Sequence, residues 1–282
     1  MADQLMKASS ETSAIIPEIW SSDFYETLLA ELPFNSLIST DYEGDISDLG
    51  DTVNVPSIPE FAEGDELGED ERADAVALTI SSQQLVINKR VVRDFIVTKL
   101  SLLQSQPVMD QLKQMAIYAV LKKMQSLIIA TIVPSAASPD HTVAYASGTT
   151  LALADLLAVK ELLDTQNVPL SDRHSVLGAA QVNDVFNVTG FTSSDFLTAG
   201  QGGVLQSGEL PSMLLGFRPH QTTVVGNTSY HFHRSFMQMA VQQGINVAEY
   251  DLGVDGKRAT RVNVDMLFGL KQFDNKRVAT LA

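Results

Sequence analysis

The sequence predicts an α+β fold, and three observations carry that prediction. Between residues 51 and 96 apolar residues recur at every second position, between residues 106 and 133 they recur at helical spacing, and after residue 227 the chain returns to strand-like runs. With 45% hydrophobic and 19% charged residues, the 282-residue chain is long enough to bury a substantial core.

The first element in order is a helix from Ile15. In IIPEIWSSDFYETLLAELPF, the residues Ile19, Tyr25, Leu28, Leu29 and Leu32 recur mostly at three- and four-residue steps, Pro17 suits a first turn and Pro33 stops the helix. Residues 36–40 then lead into an acidic block with no core-sized element between, which describes an arm rather than a domain. TVNVPSI and ALTISSQQLVINKRVVRDFIV follow, rich in Val, Ile and Thr, with Pro56 and Pro59 at an edge or strand end. They predict two long strands of a hairpin-like excursion over roughly residues 42–95, with residues 64–68 at its far end.

The next stretch places Met109, Leu112, Met115, Ala119, Val120, Met124, Leu127 and Ile128 on one helix, opened by Pro107 and ended by Pro134. At about 1.5 Å per residue it spans roughly 40 Å, the length of a spine, and its methionines read as core filler. LALADLLAVKELLDTQ predicts a shorter helix, HSVLGAA a strand and VNDVFNV a helix-sized piece. Glycines 200, 202, 203, 208 and 216 punctuate a loop-rich region, and YHFHRSFMQMAVQ, RVNVDMLFGLKQF and KRVATL form a strand-rich tail.

Charge is distributed unevenly. The formal net charge is -15, of which residues 1–100 hold -14; residues 41–74 alone carry 13 acids against Arg72. Like charges this close repel one another, so the block belongs on a projecting loop whose side chains meet water or a partner. Its densest part, FAEGDELGEDERADA, lacks the alternating ligands, central glycine and terminal Glu of a calcium loop. A protein this acidic offers no broad basic surface for phosphates, so nucleic acid is not its expected ligand.

Other chemistries are closed by residue type. The absence of cysteine excludes disulfides, a thiolate nucleophile and thiolate metal sites. AGQGGV has neither the spacing of a phosphate loop nor a dinucleotide fingerprint, and no GxSxG, HExxH or SxxK motif occurs. His231 and His233 would share one face of a strand, as two metal ligands do, although no acid stands beside them in sequence. No secretory signal and no uncharged apolar run of membrane-spanning length is present, so a soluble, non-exported protein without membrane contact is expected, with no cofactor.

Several phrases then occur in a telling order: IPEIWSSDFYETL leading to PFNSLI, EGDISDLGDTVNVPSIPEF entering the excursion, NVPLSDRHSVLGAAQVNDVF, and GGVLQSGELPSMLLGF. Together they resemble the tailed-bacteriophage major capsid proteins of the Hong Kong 97-type fold family, over nearly the whole chain. The resemblance implies an amino-terminal arm (1–40), an extended loop (41–96), a peripheral domain with the spine helix (97–139 and 227–282) and an axial domain (140–226). It implies an icosahedral shell of pentamers and hexamers around packaged double-stranded DNA, located in the virion and assembled in the host cytoplasm. Its partners would be copies of itself, a separate scaffolding protein, a portal and optionally a decoration protein. Subunit-interface candidates are Ile19, Leu28 and Leu32 on the arm and Glu66, Glu69, Asp70, Glu71 and Arg72 at the loop tip. Lys122, Lys123, Arg258 and Arg261 are the bases expected to seat that tip. Two other readings stay open at this point: a cellular encapsulating shell of the same fold, and a metal-dependent enzyme using His231 and His233.

Overall fold

A computed structural model describes residues 29–42, 52–58, 63, 66, 77, 79–98, 108–148, 150–188, 210–252 and 259–282. The described chain is α+β, with two sheets and a helix laid across each region of core. In order, its elements are α1 (Phe34–Leu37), β1 (Thr52–Ser57), β2 (Ser81–Thr98), α2 (Val108–Thr131), β3 (Thr142–Val143), α3 (Leu153–Thr165), β4 (Arg173–Leu177) and α4 (Ala179–Asn187). They continue with β5 (Arg218–Gln221), β6 (Ser229–His233), a 3₁₀ turn (Arg234–Phe236), β7 (Met237–Asp251), β8 (Ala259–Gln272) and β9 (Val278–Leu281).

The first sheet has the order β1-β2-β8-β7 and is antiparallel throughout. Helix α2 crosses one of its faces. Ala116, Val120, Met124 and Ile128, each four residues from the last, form the buried line of the helix and meet Val262, Val264, Met266, Phe268 and Leu270 from alternate positions of β8. Leu112 and Met115, expected in the core stripe, lie on the open side at 36% and 37% exposure. The contacting row is set by the sheet beneath, and it runs along the four-residue spacing rather than through Met115.

The second sheet has the order β3-β9-β6-β4-β5, with parallel pairing at both edges and antiparallel pairing between. Every residue of β4 is buried, because this sheet is covered on both faces: Val176 faces the α2 core, while Leu177 joins the cluster under α3 and α4. The stretch YHFHRSFMQMAVQ of the strand-rich tail holds two strands. The 3₁₀ turn at Arg234–Phe236 ends β6 in the second sheet and starts β7 in the first, with the His233 ring as its cap, accepting from the Ser235 amide at 3.2 Å.

The excursion starts as predicted, with Thr52–Ser57 paired antiparallel to Ser81–Val86, but β1 is six residues long and β2 is eighteen. Most of β2 therefore serves the first sheet. A bulge at Asn88 lets it do so: Ile87 faces Gly269 and Lys89 faces Phe268, so the alternation inverts. Before the bulge Leu85 and Ile87 pack with Ala240, Tyr42, Val53 and Phe273; after it Val91 and Phe95 join the α2 core.

The expectation that residues 36–40 carry no core element is corrected. Phe34, Leu37 and Ile38 are buried in the α2 core, and α1 is a single helical turn too short to show periodicity. A second tight feature is Gly178, between β4 and α4, where an added Cβ would stand 2.1 Å from the carbonyl oxygen of Gly226. That oxygen is backbone and cannot turn aside. Gly178→Ala is expected to cost about 3 kcal/mol, read as a lower urea midpoint of the unassembled subunit; an unchanged midpoint would mean that the two loops part freely.

Candidate functional site

Of the residues expected at subunit interfaces, Ile19, Leu28, Glu69, Asp70, Glu71, Arg72 and Arg258 lie outside the described residues. Leu32 is half-buried, two residues before α1, and Glu66 is exposed. Lys122 and Lys123 are exposed on α2, and no described carboxylate forms an ion pair with either. Arg261 is committed within its own subunit. Its guanidinium hydrogen-bonds Asp94 on β2, which also accepts from Asn263, and the Arg261 bond holds the Asp94 carboxyl below the usual carboxylate range.

The structure instead brings Lys123 together with two bases that sequence reasoning missed. Asn88, Lys89, Arg90, Val91 and Val92 of β2 and Lys123 and Leu127 of α2 line a groove of about 410 Å³. Five consecutive strand residues line it, so it follows the edge of β2 rather than one face. The bulge at Asn88 places Lys89 on the helix side, toward Lys123. Arg90 is held at 3.0 Å by Asp265, a buried carboxylate that also accepts from Asn246 at 3.2 Å. Lys89 and Lys123 have no described acid to neutralise them, so the groove is a place where an anionic segment would be attracted. The signal was in INKRVV: two bases where the alternation of β2 breaks.

On the opposite edge of the first sheet, α2 is tied by charge to β7. Lys113 of α2 reaches Glu249 of β7 at 2.6 Å, and that hydrogen bond raises the Lys113 pKa above its ordinary value. Exposed pairs of this kind contribute about 0.2–1 kcal/mol each. They orient the helix more than they stabilise it.

The two histidines of the β6 strand each meet a serine. His231 is buried, which pushes its pKa down to about 4, and its Nε2 stands 3.1 Å from Ser229 Oγ. His233 Nδ1 lies 2.8 Å from Ser235 Oγ, where it caps the 3₁₀ turn. Each ring has its own serine at one nitrogen, and the other nitrogen of His231, Nδ1, is buried without a hydrogen-bond partner among the described residues. Among the described residues no group of three His, Asp or Glu side chains is placed to hold a metal ion. A different pair does meet: His174 Nδ1 and His220 Nε2, 46 residues apart in sequence, are 3.2 Å apart across β4 and β5. Among the described residues no helix is long and apolar enough to cross a membrane.

Comparison with known proteins agrees with this architecture. A family model described as phage capsid protein matches residues 107–282, from the spine helix to the last strand. No curated protein matches the chain. Among solved structures, one from Mycobacterium phage Che8 superposes with a TM-score of 0.76 at 21% identity, covering 94% of this chain and 96% of that one. The capsid structure of the cyanophage P-SCSP1u gives a TM-score of 0.77 at 11% identity, covering 95% and 93%. The capsid asymmetric unit of cyanophage Pam1 gives 0.72 at 14% identity, covering 100% and 99%.

Proposed function

The chain belongs to the phage capsid protein family, and from that premise we infer how its surfaces build a shell. It is a structural subunit, the major capsid protein of a phage head, with the Hong Kong 97-type α+β fold. The single observation that carries this conclusion is the family match over residues 107–282. Its association is with other copies of itself in the virion capsid.

Residues 1–40 act as an arm, 41–96 as an extended loop, 97–139 and 227–282 as a peripheral domain and 140–226 as an axial domain. The α2 core draws mostly on the peripheral segments and the cluster under α3 and α4 mostly on residues 140–226, which supports the division, while Val176, Val225, Ala279 and Leu281 cross it. Pentamers and hexamers of such subunits close an icosahedral shell around double-stranded DNA, which is enclosed without sequence reading. Assembly takes place in the host cytoplasm, with a scaffolding protein and a portal as partners. The test is electron microscopy of the chain co-expressed with the other head proteins of its phage: closed shells are expected, and a protein that remains monomeric there overturns the reading.

The acidic tip of one subunit seats on the basic groove of the next. The tip, residues 61–75, carries seven acids against Arg72, and the groove offers Lys89, Lys123 and part of Arg90, with Lys122 beside it. Each exposed pair contributes about 0.2–1 kcal/mol and is screened over roughly 8 Å at physiological salt, so the effect becomes visible through its multiplicity around a capsomer. Replacing Glu66, Glu69, Asp70 and Glu71 by Gln or Asn is expected to lower the particle melting temperature and to flatten its dependence on salt. Lys89→Gln with Lys123→Gln should do the same. Identical melting of wild type and both variants at low and high salt would show that the tip meets only water.

A further inference from the structure

We propose that His174 and His220 form a proton-operated latch on the root of the amino-terminal arm, closed while the pair holds at most one extra proton and opened when it holds two. His174 sits on β4 and is 6% exposed; His220 sits half-buried on the parallel neighbour β5. Their contact nitrogens are 3.2 Å apart while the ring centroids are 5.4 Å apart, so the two nitrogens lie close to the line joining the rings. They meet head to head. This is the arrangement of one N–H donating to one bare nitrogen, which two neutral rings satisfy and which a single added proton also satisfies, the imidazolium donating to its neighbour. With two added protons both facing nitrogens carry hydrogen and both rings carry charge. The contact then becomes repulsive and the rings must separate.

The surroundings offset that charge only in part: Glu31, on the arm root itself, favours a proton on His220, while Arg218 opposes it. Arg218 on β5 and Arg234 on the 3₁₀ turn face His174, and Asp172, before β4, is already shared with Arg218 at 3.7 Å. On the remaining side, the Phe232 ring lies 6.1 Å from His174 and is itself buried. Burial first, and then the charge of His220, push the His174 pKa down to about 4; burial likewise lowers that of His220. Both groups therefore favour the neutral form when the pair is closed. An opened pair titrates near the ordinary value of about 6.5. The closed state thus loses stability as pH falls from about 6.5 through about 4, where the open state takes up protons that the closed one refuses.

The load on this latch is the arm. Thr222, directly after β5 and two residues beyond His220, donates its hydroxyl to the carbonyl oxygen of Glu31 at 2.7 Å. One residue earlier, the Ala30 amide donates to the Tyr118 hydroxyl at 3.0 Å and the Ala30 carbonyl accepts from the same hydroxyl at 3.1 Å. These bonds hold residues 30 and 31 against β5 and α2. Displacing β5 at His220 pulls on the Thr222 bond, and the arm root is released before the core.

The test follows the amide of Ala30 by hydrogen exchange in the full chain, corrected for intrinsic rate, at pH 7, 5 and 4. In the wild type its protection is expected to fall about ten-fold or more on acidification while that of α3 is retained. His220→Gln keeps a partner for His174 but cannot take the second charge, so its Ala30 amide should stay protected at pH 4. Thr222→Val removes the link, and its Ala30 amide should already exchange rapidly at pH 7. Parallel loss of protection in wild type and His220→Gln overturns the proposal, as does a wild type whose Ala30 stays protected or opens only together with α3. If His220→Gln does not fold, Thr222→Val decides: protection at pH 7 equal to wild type overturns the latch.

Discussion

Phe34→Ala is expected to destabilise the folded subunit by about 3–5 kcal/mol, the range for removing a buried phenylalanine. Phe34 is fully buried, stacks on Phe232 with centroids 5.7 Å apart and meets the Tyr230 ring edge-on at 5.7 Å. Phe232 in turn touches Phe236, at 4.7 Å, in the turn where the chain passes from the second sheet to the first. The ring therefore fills the join between the two sheets. The α1 turn that presents it is four residues long with no side-chain cap, so tertiary packing alone holds it. Truncation leaves a cavity that neighbouring strands, fixed by their ladders, cannot close. Leu32→Ala, at a half-buried position two residues away, is the control and should cost about 1 kcal/mol or less. Urea unfolding of unassembled subunits with unchanged slope measures both; a loss below about 1 kcal/mol at Phe34 would show that the join does not depend on its ring.

The contrast between Phe34 and the spine helix shows what a sequence makes legible. Helix α2 was readable because twenty-four residues repeat one pattern between two prolines, and local periodicity needs no knowledge of neighbours. A four-residue turn has no period, so Phe34, Leu37 and Ile38 looked like the end of an arm. The break at Arg234–Phe236 was hidden for the opposite reason: both flanks are strand-like, and only their membership of different sheets separates them. The order of the fold and the family resemblance were visible, since they depend on the succession of elements. Of the proposed tip-and-groove contact, one partner can be read from the sequence and the other cannot. The acidic tip is contiguous in sequence, whereas the basic groove exists only because the bulge at Asn88 turns Lys89 toward Lys123 from a strand to a helix. The His174–His220 contact is likewise a product of parallel pairing between β4 and β5 and has no local signature.

Removing residues 1–33 is expected to abolish closed shells while leaving a cooperatively folded subunit. The two halves of that outcome have different causes. The fold should survive because, among the described residues, the buried ones begin at Phe34; what is lost within the described part is the Tyr118 and Thr222 contacts to Ala30 and Glu31 and the two bonds from Ser36 to the Pro33 carbonyl, a few hydrogen bonds contributing about 1 kcal/mol each. Shell closure should fail because the arm's apolar positions, Ile19, Leu28 and Leu32, are proposed to find their burial on neighbouring subunits, each contributing about 1.5–3 kcal/mol when fully covered. Summed over the many copies of a shell, losses of that size separate closed particles from free capsomers. Extending the deletion by only five residues, to 1–38, removes Phe34, Leu37 and Ile38 and should unfold the subunit itself. Circular dichroism and electron microscopy of the two truncations, each co-expressed with the other head proteins, separate the roles. Normal particles from the shorter deletion would mean that the arm contributes nothing to closure. Equal stability of the two truncations would mean that α1 belongs to the arm and not to the core.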